Sequence, residues 1–153
     1  MPQQHISFDS MGLSLQAVLE YPESEHKVPG VVICHPSPRF GGDMASSVVV
    51  GISKRLNAAG IATLRFNFRG VGTSEGAHDK GDGEVDDALA ALTALELEDV
   101  VDPSRIGIAG YSFGASMALQ AVLESSPALA VFSVACPIGA LRALSSREIL
   151  QPK

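Results

Sequence analysis

The sequence predicts one α/β domain, a three-layer sandwich in which helices flank a mostly parallel sheet of about six strands. Short apolar runs typical of buried strands alternate with segments whose apolar residues recur at helical spacing. This alternation favours a parallel sheet with helices on both faces. The chain has 153 residues, of which 46% are hydrophobic and 18% are charged. That length and composition suit a single globular domain, residues 1–153, with a core of its own.

The N-terminal half is expected to contain a hairpin, two further strands and one helix. In chain order these are a hairpin of residues 6–10 and 14–20, a strand at 31–34, a helix carrying Val49, Ile52 and Leu56, and a strand at 61–68. Residues 31–34 are apolar throughout, which is typical of a parallel strand covered on both faces. Gly60 supplies the stop signal at the end of the helix.

The C-terminal half is expected to contain two helices and two strands. In chain order these are a helix carrying Val85, Ala88, Leu92 and Leu95, a strand at 105–109, a helix at 115–123 and a strand at 128–135. Glu84, Asp86 and Asp87 lie in the first turn of the first of these helices, where acidic side chains complement the helix dipole. We therefore expect these three acids to have a structural role.

Charge and targeting signals exclude several classes of function. The net charge is −6 and the pI is about 5.1, with no run of lysine or arginine, so neither nucleic acid nor an anionic membrane is an expected partner. The N-terminus lacks the pattern of a signal peptide and no apolar run could span a bilayer, so we expect a cytoplasmic protein. Cys34 and Cys136 are expected to be reduced thiols, and no residue spacing suits a metal ion or another cofactor.

Residues 110–114, Gly-Tyr-Ser-Phe-Gly, form the most informative motif. They follow the predicted strand at 105–109 and precede the predicted helix at 115–123. A G-x-S-x-G in this context predicts a nucleophile elbow, a tight turn that raises Ser112 above the edge of the sheet. Gly110 and Gly114 would allow the strand and the helix to pass closely, where a Cβ would collide. Ser112 is therefore the candidate nucleophile.

Two further loops agree with the elbow. Residues 35–42 read His-Pro-Ser-Pro-Arg-Phe-Gly-Gly, and residues 65–76 read Arg-Phe-Asn-Phe-Arg-Gly-Val-Gly-Thr-Ser-Glu-Gly. In order and spacing, from about residue 6 to residue 136, the three segments resemble the α/β-hydrolase superfamily. They are most similar to the small bacterial hydrolases related to dienelactone hydrolase and to serine esterases. The resemblance implies that Ser112 attacks the acyl carbon of an ester or a similar substrate.

A serine hydrolase also needs backbone donors for the oxyanion that forms on its substrate. One donor is expected to be the N–H of Phe113, at the helix start directly after the serine. The second is expected in the loop that begins at His35. Because Pro36 has no N–H, Ser37 is the expected donor there.

The general base is left open by the sequence. In this fold the acid and the histidine follow the nucleophile along the chain, but no histidine follows Ser112. The resemblance implies that His35 mainly shapes the oxyanion loop, and His35 is also a candidate substitute base. His78 is a second candidate and a partner chain is a third, whereas His5 and His26 are expected at the surface.

The last predicted strand raises the question of what covers it. The resemblance implies eight strands and this chain has room for six, so the domain is expected to be a truncated form of the hydrolase fold. The strand at 128–135 is apolar throughout and would be an open edge, which pairs readily with another chain. We therefore expect a homo-oligomer with residues 128–153 in the contact. Glu148, the only acid after this strand, is expected to be a surface charge.

The sequence thus predicts a serine hydrolase, most specifically a carboxylesterase of small acyl esters that acts through an acyl-enzyme on Ser112. Two alternatives stay open at this point. One is a fragment or pseudoenzyme that keeps the hydrolase fold but binds without turnover. The other is a hydrolase of lactones, thioesters or peptides, since the same acyl chemistry serves all of these substrates.

Overall fold

The computed structural model describes residues 1–125, 128 and 130–145, which contain six strands in one sheet and four α-helices. The strands are β1 (Gln3–Ser10), β2 (Leu13–Glu20), β3 (Val28–Cys34), β4 (Ala62–Phe66), β5 (Val101–Tyr111) and β6 (Ala130–Val134). The helices are α1 (Ser47–Ala58), α2 (Asp82–Glu96), α3 (Phe113–Ser125) and α4 (Ile138–Ser145), and Pro38–Phe40 forms a short 3-10 helix. None of the helices in this described part has the length and apolar character needed to span a lipid bilayer.

The strands lie in the order β1-β2-β4-β3-β5-β6. β1 and β2 form the predicted antiparallel hairpin, β2 runs antiparallel to β4, and the four strands from β4 to β6 in this order are parallel. The predicted class, an α/β sandwich with a mostly parallel sheet of six strands, is confirmed. The carboxyl ends of the parallel strands meet at one edge of the sheet, and the loops that follow them form the usual place for a ligand.

The two faces of the sheet are covered to different extents. α2 and α3 cover one face, where they bury a large apolar core that includes Phe66 and Leu92. α1 covers part of the other face, mainly over β4 and β3, and buries a small cluster that includes Val49 and Ala109. A groove remains on this second face between α1 and β6.

All six strands differ from their predicted extents at one end or both, and the differences in β5 and β6 bear on the site. β5 begins at Val101 rather than at residue 105, because Val101 already pairs with Val28 of β3, and the register shifts before Gly30 pairs with Ile106. β6 is shorter than the predicted 128–135, and it is exposed where cover on both faces was expected, with Phe132 58% exposed. Residues 146–153 of the predicted oligomer contact, including Glu148, lie outside the described residues.

Candidate active site

Ser112 lies in a tight turn between β5 and α3. Its φ is +54°, a left-handed conformation that costs a non-glycine residue on the order of 1–3 kcal/mol. The N–H of Ser112 donates to the carbonyl oxygen of Val134 at 2.9 Å, which ties the turn to the end of β6. A Cβ at Gly110 would collide with the carbonyl of Gly114, and a Cβ at Gly114 would collide with the end of β3. The predicted close passage at both glycines is confirmed.

The contact at Gly114 brings the start of α3 against the loop that follows β3. Phe113 is the first residue of α3, so its N–H has no partner inside the helix. Within the described part of the chain, the N–H groups of Phe113 and Ser37 donate to no backbone carbonyl. Both therefore remain the predicted oxyanion donors, and the positive end of the α3 dipole adds a field that favours negative charge there.

The loop after β3 is folded on itself around Ser37. The N–H groups of Phe40 and Gly42 both donate to the carbonyl oxygen of Ser37, at 3.1 and 3.0 Å. The hydroxyl of Ser37 accepts a hydrogen bond from the N–H of Arg39 at 3.3 Å. Gly42 has no room for a Cβ because the carbonyl of Pro36 lies against it. These contacts hold the backbone in one conformation, as a preorganised donor requires.

Two polar side chains, one in β4 and one directly after it, anchor the same loop at Met44. Arg65 Nη1 donates to the carbonyl oxygen of Met44 at 3.1 Å, and Asn67 Oδ1 accepts from the N–H of Met44 at 2.9 Å. Arg65 is held in turn by a salt bridge to Glu20. This role was not predicted from the sequence, although the polar residues at alternate positions of an apolar strand were a usable signal.

His35 is fully buried, and both of its ring nitrogens have partners. Nε2 accepts a hydrogen bond from the N–H of Phe68 at 3.1 Å, and Nδ1 donates to the carbonyl oxygen of Pro36 at 2.6 Å. Burial lowers the pKa of His35 to about 4, against smaller opposing effects of the Pro36 carbonyl and of Asp43. This bonding supports a role in shaping the loop. It argues against the alternative in which His35 is the base, because both ring nitrogens already have backbone partners.

His78 lies beside the elbow but does not bond to the nucleophile. Its ring centroid is 5.7 Å from that of Phe113, and its Nδ1 is 2.5 Å from Oε2 of Glu84. The contact with Glu84 is close but poorly directed, since Nδ1 makes no hydrogen bond of good geometry. All four histidines lie within the described residues, and none of them forms a hydrogen bond with the Ser112 hydroxyl.

The acids at the start of α2 have structural partners. The carboxylate of Glu84 accepts hydrogen bonds from the N–H groups of Asp79 and Gly81 and so caps the helix. Asp87 accepts a hydrogen bond from the Arg69 guanidinium at 2.8 Å, and this bonding raises the pKa of Arg69. Glu84 and Asp87 are both fully buried. The predicted structural role of Glu84 and Asp87 is confirmed. The predicted placement in the first turn holds for Glu84 only, because α2 begins at Asp82, so Asp86 and Asp87 lie beyond the first turn and Asp87 acts through its hydrogen bonds.

The side chains that could ligate a metal are scattered. Among the residues that the structure describes, no group of three or more histidine, cysteine, aspartate or glutamate side chains could hold a metal ion. Cys34 and Cys136 are both free thiols, and burial raises the pKa of Cys34.

The six-stranded sheet, with a strained serine turn after its β5 strand, defines an α/β-hydrolase. Residues 11–148 match the X-Pro dipeptidyl-peptidase (S15) family. The chain belongs to this family.

Known relatives are longer than this chain. Uncharacterized protein RP471 of Rickettsia prowazekii (strain Madrid E) is 44% identical over 96 residues, which are 63% of this chain and 40% of that protein. The quorum-quenching protein AidA of Acinetobacter baumannii (strain MDR-ZJ06) is 30% identical over 135 residues, which are 86% of this chain and 43% of that protein. The structure of an alpha-beta serine hydrolase homologue from Coxiella burnetii matches with a TM-score of 0.80 and 35% identity, over 90% of this chain and 65% of that one. The chain thus spans less than half the length of the two sequence relatives.

Proposed function

We propose that the protein is a serine hydrolase that cleaves small acyl esters through an acyl-enzyme on Ser112. The observation that carries this proposal is the left-handed backbone of Ser112, at φ +54°. Such strain persists only where the surrounding structure enforces it, and it clusters at functional sites. The Val134 carbonyl and the two glycine contacts enforce it at this turn.

In the proposed reaction the hydroxyl oxygen of Ser112 attacks the ester carbonyl carbon while its proton passes to a base. The carbonyl oxygen becomes an oxyanion, which the N–H groups of Phe113 and Ser37 receive; each such donor is worth about 3 kcal/mol. The protonated base then gives its proton to the leaving alkoxide. Water, activated by the same base, hydrolyses the acyl-enzyme and restores the free serine.

The base in this scheme is expected to come from outside residues 1–145. His35 is engaged by two backbone groups, and Nδ1 of His78 lies against Glu84 rather than against the nucleophile. The same observation favours a second candidate function, in which the chain alone keeps the hydrolase fold and binds an acyl compound without turnover. A serine hydroxyl without a base is a weak nucleophile.

Labelling with a fluorophosphonate probe tests the nucleophile. We expect intact mass spectrometry to find one adduct on the wild type, none on Ser112→Ala and an unchanged adduct on Ser116→Ala, a control in the helix that follows the elbow. Labelling that survives Ser112→Ala would overturn the proposal. Labelling without hydrolysis of p-nitrophenyl acetate, or no labelling of the wild type at all, would support the candidate that binds without turnover.

A pair of substrates distinguishes ester hydrolysis from peptide hydrolysis. Peptide hydrolysis is a natural alternative because the chain matches the X-Pro dipeptidyl-peptidase family. The measurement compares p-nitrophenyl acetate with an Xaa-Pro p-nitroanilide, both followed by release of the chromophore. We expect cleavage of the ester only. Cleavage of the anilide that is lost in Ser112→Ala would keep the nucleophile and move the proposed substrate class to peptides.

A further inference from the structure

β1 is an outer strand of the sheet and has an exposed backbone edge. In the residues that the structure describes, it pairs with β2 alone, in one unbroken antiparallel register along its eight residues. Natural edge strands often carry a lysine, a proline or a bulge, which hinders pairing with another chain. β1 has none of these along its eight residues. Its edge is therefore open to a further strand.

The hydrogen bonds of the hairpin decide which residues of β1 present free backbone groups. The N–H of Tyr21 donates to the carbonyl oxygen of Pro2 at 3.3 Å, so residue 2 bonds toward the second strand of the hairpin. Backbone groups in an antiparallel pair alternate in direction along each strand. The even-numbered residues of β1 therefore bond toward β2. The N–H and carbonyl groups of His5, Ser7 and Asp9 point outward.

The side chains of β1 alternate between the two faces of the sheet. Ile6 and Phe8 are half-buried and pack on the core beneath α2, whereas His5 and Asp9 are exposed. A groove of about 500 Å³ lies between β1 and the C-terminal half of α2. Leu97 lines this groove and is 78% exposed. The edge thus presents apolar side chains on one face and charged side chains on the other.

We propose that β1 pairs with β1 of a second copy of the chain, antiparallel about a twofold axis at Ser7. An axis between two residues would set outward backbone groups against inward ones, so the axis falls on a residue. With the axis at Ser7, His5 lies opposite Asp9 of the second copy. No other axis within β1 gives this pair. On the face of α2, Ile6 then lies opposite Phe8 of the second copy.

The twofold axis doubles each of these contacts. Every cross-strand pair occurs twice in an isologous interface, and both α2 helices lie on the same face of the continuous sheet. A basic side chain opposite an acidic one, and an aromatic opposite a β-branched one, both stabilise an antiparallel pair. The net charge of −6 makes two copies repel each other as a whole. At this edge, by contrast, each acid lies opposite a base, which favours this arrangement over other contacts between copies.

The edge at β6 lacks this complementarity. β6 was expected from the sequence to contribute to an oligomer contact, but it has only five residues, Ala130–Val134, and none of them is charged. Without a charged pair or a distinctive apolar pattern, the register of a strand is weakly specified. The second copy is therefore assigned to β1.

Sedimentation equilibrium of the intact 153-residue chain tests the dimer. We expect a micromolar Kd, as is usual for a small interface. Ser7→Pro should raise the Kd at least about tenfold, because it removes the outward N–H at the axis and no hydrogen bond to β2. Ser7→Thr, the matched control, should stay within about twofold of the wild type. A wild type that is monomeric at about 1 mM, or a proline variant that dimerises normally, would overturn the inference.

A charge pair at residue 5 covers the case in which proline disturbs the hairpin. His5→Asp sets an acid opposite Asp9 of the second copy, whereas His5→Lys keeps a base there. We expect His5→Asp to raise the Kd about fivefold, and His5→Lys to leave it unchanged or lower it. The exposed position of His5 makes both changes compatible with folding. Equal Kd values for the two variants would count decisively against the register.

Cysteine crosslinking measures the register directly. At the proposed axis the Cα atoms of the two Ser7 residues are about 5.5 Å apart, within the range of a disulfide, whereas those of the two His5 residues are about 14 Å apart. Both Ser7→Cys and His5→Cys also carry Cys136→Ser, since Cys136 is a partly exposed thiol. Diamide oxidation should crosslink Ser7→Cys only. Crosslinking of His5→Cys instead, or of neither variant, would overturn the inference.

Phe132→Glu distinguishes the two edges of the sheet. Phe132 lies in β6, far from β1 in the strand order, so its variant should dimerise within about twofold of the wild type. A dimer that is lost in Phe132→Glu and kept in Ser7→Pro would overturn the inference in favour of the edge at β6.

Discussion

The two faces of the sheet use similar residues but differ in how they are covered. On the face of α2 and α3, Phe66 is fully buried between Phe8 and Phe68, with ring centroids at 5.6 and 4.9 Å. On the face of α1, Phe132 lies over a groove and is 58% exposed. An apolar strand therefore indicates that it needs cover, whereas the covering elements lie elsewhere in the chain or outside it. We call these the closed face and the open face.

The largest expected difference between the faces is in the cost of truncating a phenylalanine. Phe66→Ala should lower the free energy of unfolding by about 3–5 kcal/mol, because it removes a buried ring and leaves a cavity. Phe132→Ala should lower it by about 0.5 kcal/mol, as at other surface positions. Urea unfolding of the two variants and the wild type measures both values. Similar losses in the two variants would show that the open face is covered in solution.

The second comparison concerns the ion pair on each face. Asp87→Ala should cost about 3–5 kcal/mol, because it removes a fully buried carboxylate to which the Arg69 guanidinium and the Ser10 hydroxyl both donate. Glu20→Ala, under α1, should cost about 1.5–3 kcal/mol, since Arg65 keeps its hydrogen bond to the Met44 carbonyl and the pair is less buried. Chemical unfolding at pH 7 measures both. A Glu20 variant as unstable as the Asp87 variant would contradict the ranking of the two faces.

A pH dependence is expected from the closed face. His35 packs on Phe68 with ring centroids 4.8 Å apart, and burial lowers its pKa from 6.5 to about 4. Between these values the unfolded chain takes up a proton that the folded chain does not. Stability that is fully present above pH 6.5 is therefore lost as the pH falls toward 4, by up to about 3 kcal/mol.

The variant His35→Asn isolates this contribution. Between pH 7 and pH 5 its free energy of unfolding should fall by about 2 kcal/mol less than that of the wild type, because asparagine takes up no proton. Urea unfolding at several pH values measures the two slopes, and the two proteins differ only at residue 35. Parallel slopes would mean that His35 is not held neutral by burial.

Much of the fold and the nucleophile could be predicted because the signals are local. The elbow is formed by a strand, a serine turn and a helix that are contiguous in the chain, and the hairpin turn at Met11-Gly12 is equally local. The place of β6 as the last strand along the described chain could also be predicted, since its apolar run reads directly from the sequence. The exposure of β6 on the open face could not be predicted, because it depends on how far α1 extends over the sheet.

The polar contacts of the site depend on strand order and could not be predicted in the same way. His35 Nε2 accepts a hydrogen bond from the N–H of Phe68, 33 residues further along the chain. The hydrogen bonds of Arg65 and Asn67 with the backbone of Met44 likewise join segments more than 20 residues apart. Such partners follow from which strands are neighbours, and no local periodicity encodes that.

The smallest expected effect tests whether the closed face already holds a complete site. His78 lies at the rim of this face, against Phe113 and Glu84. We expect His78→Gln to change the rate of fluorophosphonate labelling of Ser112 by less than about threefold, as His26→Gln should, because loss of a general base costs about 100-fold or more. A 100-fold loss confined to His78→Gln would make His78 the base. The chemistry would then be complete on the closed face, and cover of the open face would serve stability alone.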